Sequence, residues 1–135
     1  VKVSETMKTL PEKYQDLERW AFADNEAQAD LLAQRVVDGT KTATCAALDD
    51  EGVPQVGDQF LIVDGRNQPV CAVELTATDL VPFDQVPESH AKAENEGDGT
   101  LANWRQQQQA FFEEYEMFSP QMTLVLMNFR VIETF

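Results

Sequence analysis

Basic residues are scarce in this chain. Ten Lys and Arg stand against 24 Asp and Glu, which gives a formal net charge of -14. Such a surface favours solubility and gives no general attraction to nucleic acid or anionic membrane, so a polyanion must find a local basic cleft. Histidine is scarcer still: His90 is the only one, so no Ser-His or Cys-His pair can be built except through it. The two cysteines, Cys45 and Cys71, lie in apolar or small-residue, strand-like runs without metal-ligand spacing. They read as buried thiols. No apolar run approaches the roughly 18 residues of a membrane span, and no charged stretch followed by an apolar one opens the sequence. The simplest expectation is a cytoplasmic protein without a membrane or DNA partner. Internal repeats and low-complexity linkers are missing too, and Gln106 to Gln109 fall inside a helical pattern.

What is present suits one domain. The 135 residues are 43% hydrophobic, and a chain of that length buries roughly two thirds of its unfolded surface. Helical patterns fill residues 4–38. Ser4 to Leu10 forms a short helix stopped by Pro11, and Glu12 to Arg19 a second. Trp20 and Phe22 then alternate along an extended segment, a spacing that puts both rings on one side. Asp24 or Asn25 caps the next helix, with Ala29, Leu31, Leu32 and Val36 as its apolar stripe, and Gly39 ends it. Strand Gln59 to Val63 and strand Val70 to Leu75 flank the turn Asp64-Gly65-Arg66-Asn67 as an antiparallel hairpin. An acidic loop and a helix occupy 88–117, with Thr100 as N-cap and Leu101, Trp104, Gln108, Phe111, Phe112 and Tyr115 at helical spacing. The final strand, 122–133, is apolar on both faces, as in a central or barrel strand. About five strands with three or four helices around them predict an α+β fold.

Chemistry concentrates at Gly39-Thr40-Lys41-Thr42-Ala43-Thr44. A lysine just after a helix C-terminus is explained in part by the helix dipole. It also becomes a base or nucleophile when desolvated, or a fixed positive charge beside a carboxylate. Glu74, set among Cys71, Ala72, Val73 and Leu75, is the carboxylate expected to pair with it, because a glutamate in so apolar a strand needs a partner if it faces inward. Lys41 would then take the proton of Thr44 while Glu74 positions the pair, provided the connection after Gly39 bends, since positions 41 and 44 of a regular strand face opposite ways. His90, Glu94, Glu96 and Asp98 have the residue types of a divalent-metal site. Their spacing matches no dedicated motif. They read first as a solvated loop with an exposed histidine, so no cofactor is expected, with a divalent metal at the acidic loop as the less favoured alternative.

These motifs, in this order, resemble the bacterial branch of the ASCH domain family. The resemblance runs through Trp20, Phe22 and Asp24, then Ala29-Asp30-Leu31-Leu32, Gly39-Thr40-Lys41-Thr42-Ala43-Thr44, Pro54-Gln55-Val56-Gly57-Asp58, Glu94-Asn95-Glu96-Gly97-Asp98 and Leu101-Ala102-Asn103-Trp104-Arg105. Ala23 and Asn95 stand where the family has glycine, which bears on loop conformation rather than on fold. The resemblance implies a single small PUA-like β-barrel over 1–135. It also implies a cleft fed by Lys41, Thr44 and Glu74, with Trp20, Asp24, Thr42, Glu96, Asp98, Trp104 and Arg105 as binding residues. Three roles go with such a domain: amidohydrolysis of N4-acetylcytidine, cleavage of RNA, and RNA binding without chemistry. In the first, backbone N–H groups after Gly39 are candidate oxyanion donors. The acidic composition suits a single nucleoside in a pocket better than a long RNA, which needs many phosphate contacts. The expectation is therefore a hydrolase of a modified nucleoside or of single-stranded RNA, an amidohydrolase or ribonuclease. The alternative is a non-catalytic RNA- or nucleotide-binding module.

Overall fold

The computed structural model describes residues 10–23, 25–50 and 52–135. The expected helix from Ser4 lies, but for Leu10, outside them. Elements follow in the order β1 (Arg19–Trp20), α1 (Glu26–Val37), β2 (Ala43–Ala47), β3 (Gln59–Val63), β4 (Pro69–Pro82), α2 (Glu88–Glu94), α3 (Leu101–Glu114) and β5 (Thr123–Thr134). All five strands join one mixed sheet in the order β1-β3-β4-β5-β2. β1 runs parallel to β3, and the other pairs are antiparallel. The sheet is open, where a barrel was expected. Its edges are the two-residue β1 and the five-residue β2, too short to wrap round and close a ladder.

The centre of the sheet is the hairpin of β4 and β5, paired from Cys71↔Thr134 to Pro82↔Thr123, with irregularities at Ala72/Val73 and Leu75/Ala77. Such bulges bend and twist a long ribbon. β5 sits between β4 and β2, and both of its faces are covered, as its apolar sequence requires. Val125, Met127 and Phe129 meet Val36, Phe60, Val73 and Leu75 on one side. Leu124 and Leu126 meet Phe83, Trp104 and Phe112 on the other.

α1 forms as its sequence predicts. Asn25 is the N-cap, accepting from the Gln28 amide, and Ala29, Leu32, Ala33 and Val36 are buried. Leu31, assigned to the same stripe, is exposed, because one residue's step along a helix turns a side chain about 100° away from its neighbour. The helix expected over Glu12 to Arg19 is a single 3-10 turn, Glu12–Tyr14. Its remainder is diverted into β1 by the Leu61 amide, which donates to the Glu18 carbonyl. Tertiary pairing overrides weak local propensity there. The region 88–117 splits into α2 and α3, with Asn95 at the C-cap of α2 in the left-handed conformation (φ 49°). Thr100 caps α3. Trp104 and Phe112 are buried, whereas Phe111 and Tyr115 project outward, since five apolar positions overfill the stripe that one face can cover. Among the described residues no helix is long and apolar enough to cross a membrane.

Candidate functional site

Gly39, at φ 80°, ends α1 in a conformation that only glycine adopts cheaply. The amides of Thr40 and Lys41 both donate to the Arg35 carbonyl, and that of Thr42 to the Ala93 carbonyl of α2. The chain is thereby pinned between the ends of two helices. The amides considered as oxyanion donors are already used by these bonds. The Lys41 side chain is directed into the protein and is 1% exposed. Its Nζ donates to the Ala43 carbonyl at 2.9 Å, the Glu94 carbonyl at 3.0 Å and Glu96 Oε2 at 2.8 Å. It also lies 4.7 Å from the centre of the Phe22 ring, which attracts a cation to its face. Three acceptors take all three N–H bonds of an ammonium. In this arrangement Lys41 is a fixed positive charge rather than a base.

The left-handed turn at Asn95 explains how two carboxylates two residues apart serve different partners. Glu94, 1% exposed, faces back into the protein, where its Oε2 pairs with His90 Nε2 one helical turn earlier. Glu96 reaches Lys41 from the other side of the turn. Arg35 secures the turn by donating to the Asn95 carbonyl. Cys45, beside Thr44 on β2, completes the cluster. Its thiol is held well above the ordinary range, chiefly by burial, then by the charge of Glu94 and a hydrogen bond to it, with a smaller contribution from Glu96 that Lys41 opposes. The residue as a whole is half-buried. Candidate ligand atoms of Cys45, His90 and Glu94 lie within 4.8 Å of one another.

Two clefts meet above this cluster. One, of about 780 Å³, is bordered by Thr44, Cys45, Glu94, Glu96, Phe111 and Tyr115. The other, of about 590 Å³, is bordered by Trp20, Asp58, Phe60 and Met127. Ala21, Phe22, Thr44 and Cys45 border both. Each volume falls within the range of small-molecule sites. Trp20 stacks on Phe60 with ring centres 4.0 Å apart, giving the smaller cleft a flat aromatic wall.

The expected Lys41–Glu74 pair does not form. Glu74 accepts from Arg130 Nη2 at 2.8 Å and Gln59 Nε2 at 3.3 Å. These two bonds, Arg130 first, hold its carboxyl below the usual range. Strand alternation is the reason: Val73 and Leu75 enter the core that Phe22 covers, so Glu74 between them projects from the opposite face. The carboxylate on Lys41 is Glu96 instead, and Glu94 meets the ammonium through its backbone carbonyl. Of the binding residues, Trp20 and Glu96 border the clefts. Thr42 is exposed, with its backbone spent on α2 and β5. Asp98 accepts from the amide and hydroxyl of Thr100 and so fixes the start of α3. Trp104 is buried, stacked 5.5 Å from Phe83. Arg105 donates to the Asp84 carbonyl. Asp24 lies outside the described residues. The acidic stretch does not converge either, because Glu96 and Asp98 serve Lys41 and Thr100 while only His90 and Glu94 turn inward. His90, expected to be exposed, is buried between Glu94 and the Trp104 ring, 6.1 Å away. Its i, i+4 spacing to Glu94 was the signal available for that pairing.

An open mixed sheet flanked by helices, with a polar cluster between a helix end and an edge strand, defines an α+β domain of PUA-like type. A model of the ASCH domain matches residues 18–133, and the chain belongs to that family. The ASCH domain of Lactobacillus crispatus JV V101 is similar at 30% identity, with 97% of this chain and 89% of that one covered and a TM-score of 0.80. Protein EF3133 of Enterococcus faecalis V583 is similar at 31% identity, with 98% and 87% covered and a TM-score of 0.79. A point mutant of ZmASCH from Zymomonas mobilis is 15% identical over 74% of this chain and 63% of its own, with a TM-score of 0.54, and shares the fold. No curated protein sequence matches this chain. The ASCH domain is a PUA-like fold of the RNA-binding kind.

Proposed function

We propose that this ASCH domain hydrolyses a modified nucleoside carrying an N4-acetylcytidine-type amide, with single-stranded RNA as the second substrate class, and that it needs no metal or cofactor to do so. The observation that carries the reading is a single cleft bordered by Thr44, Glu94 and Glu96, the last of which is paired with the buried Lys41 ammonium behind it. Glu96 is engaged by Lys41. Glu94, held by His90 and Cys45 rather than by Lys41, is the carboxylate assigned here to accept a proton. In this scheme Glu94 takes the proton of a water, or of the Thr44 hydroxyl, as the oxygen attacks the acetyl carbonyl. Lys41 supplies the positive charge toward which the developing oxyanion is stabilised. The proton then passes to the N4 nitrogen as the C–N bond breaks, releasing cytidine and acetate. Where Thr44 is the nucleophile, water frees the acetate from its ester in a second step. The aromatic wall of Trp20 and Phe60 supplies a surface for a base ring.

The same aromatic wall would serve a non-catalytic nucleotide-binding module, which is the second reading. Incubation of the protein with N4-acetylcytidine and with single-stranded RNA, in buffer containing EDTA, separates the two. Turnover that falls at least about 100-fold in Thr44→Val, Glu94→Gln and Lys41→Ala supports the hydrolase. Loss of turnover counts only for variants whose circular dichroism matches wild type. Binding without product supports the module, and no turnover of either substrate sinks the hydrolase.

A further inference from the structure

Cys45, His90 and Glu94 bring a sulfur, an imidazole nitrogen and a carboxylate oxygen to one place, and the proposed hydrolysis does not call for the sulfur. The three come from two elements, β2 and α2, which the Thr42 amide and the Lys41 ammonium fasten together through the Ala93 and Glu94 carbonyls. Their two elements are therefore held together by one backbone hydrogen bond and one from a buried side chain. From these side chains we infer a binding site for one zinc(II) ion, made by Cys45 Sγ, His90 and Glu94, with its fourth position open to the larger cleft.

Zinc takes thiolate, imidazole and carboxylate at about 2.0 to 2.3 Å in a tetrahedron, which sets donor atoms about 3.5 Å apart. Here the donors lie within 4.8 Å of one another, so they need to shift by about 1 Å. The His90–Glu94 bond must open, and the Cys45–Glu94 bond is exchanged for metal bonds. Binding releases the thiol proton to solvent and leaves the imidazole neutral. One thiolate and one carboxylate then balance the charge of the ion, so the nearby Lys41–Glu96 pair keeps its own neutrality. The donor set is mixed, with one soft ligand. That excludes magnesium and calcium, which take oxygen, and favours zinc or cobalt. Cys45 and Glu94 both border the cleft, and this supplies the entry path. A metal held there would also occupy Glu94, so zinc would inhibit hydrolysis. That consequence rests on the proposed function, whereas the site itself rests on the three side chains alone.

Cobalt(II) and zinc(II) titrations of the full chain, with no substrate present, test the site. Cobalt is expected to bind one to one and give a thiolate-to-metal charge-transfer band, and zinc to displace it. Cys45→Ser should abolish the band and weaken zinc roughly 100-fold, His90→Gln should weaken zinc by a similar factor, and Cys71→Ser should change neither. Should His90→Gln fail to fold, Cys45→Ser carries the test, being nearly isosteric. A missing band, or zinc binding by Cys45→Ser as tight as by wild type, overturns the site. If wild type shows turnover, zinc should suppress it more strongly than in Cys45→Ser; equal suppression overturns inhibition while the spectra still judge the site.

Discussion

Replacing Lys41 by methionine removes one charge and three hydrogen bonds while keeping most of the stem that passes under Phe22. What it leaves behind sets the magnitude. The Ala43 and Glu94 carbonyls, on residues that are 0% and 1% exposed, each lose a charged donor. An acceptor stranded in the interior costs about 1 to 3 kcal/mol. The Glu96 side chain is 18% exposed, so it can turn toward water and recover part of its hydration. Two stranded carbonyls and a partly rehydrated carboxylate together come to about 3 to 5 kcal/mol, the range for breaking a buried ion pair from one side. Glu96→Gln is the contrasting perturbation. An amide oxygen still accepts from Lys41, and both carbonyls keep their donor, so about 1 to 2 kcal/mol is expected. Urea denaturation followed by circular dichroism reads both. The midpoint should fall two to three times further for Lys41→Met, with an unchanged slope showing that the same surface is exposed. In thermal melts Lys41→Met should lose about 9 to 20 °C, at about 3 to 4 °C per kcal/mol for a domain of this size. A Lys41→Met variant within about 1 kcal/mol of wild type, or a Glu96→Gln variant that loses as much as Lys41→Met, would mean that the buried ammonium does not hold these three acceptors.

Glu74→Gln should leave turnover of any substrate unchanged, since its partners are Arg130 and Gln59 on the face away from the clefts; a large loss of activity with normal circular dichroism would restore it to the site. Its carboxyl is held below the ordinary value, so its contribution is present above the unfolded-state pKa and disappears as pH falls through the folded one. Urea midpoints of wild type and Glu74→Gln should therefore converge on acidification below pH about 4. Asn95→Gly should be tolerated at φ 49°, whereas Asn95→Ala should cost about 1 to 2 kcal/mol by urea denaturation; equal stability of the two would remove the conformational argument. Burial pushes the Cys71 thiol up to about 12, so in Cys45→Ser a thiol reagent at about pH 8 should label nothing in the folded protein and one equivalent after denaturation.

The elements that the sequence defines well are those whose pattern and end signals agree. Asn25 before α1, Gly39 after it, Thr100 before α3 and the doubly apolar β5 each point to one structure by two independent routes. The segment around Glu18 carried only a weak helical pattern, and its fate as β1 depended on β3, some forty residues further on. The candidate site was half legible for the same reason. Gly39 to Thr44 is local, and its lysine and threonine stand out as types. The partner of Lys41 is a matter of which face of a strand, or which side of a turn, a carboxylate occupies, and neither can be read from Glu74 or Glu96 alone. Charged neighbours at Glu88 and Lys92 made His90 look solvated, although position 90 faces inward and those two face out. The departure at Ala23 proved harmless: the described non-glycine residues with positive φ are Asn67, Asn95 and Glu116.

The reversal at Asn95 has a consequence for how such a site can change over time. Because the chain turns within one residue, Glu94 and Glu96 are assigned to their partners by counting rather than by chemistry. A substitution at Asn95 shifts the cost of the turn, but one residue inserted or deleted there would leave Glu94 on His90 and carry Glu96 away from Lys41. The stretch between α2 and α3 is therefore constrained in length as well as at Glu96, Asp98 and Thr100, and it should act as a fixed-length spacer.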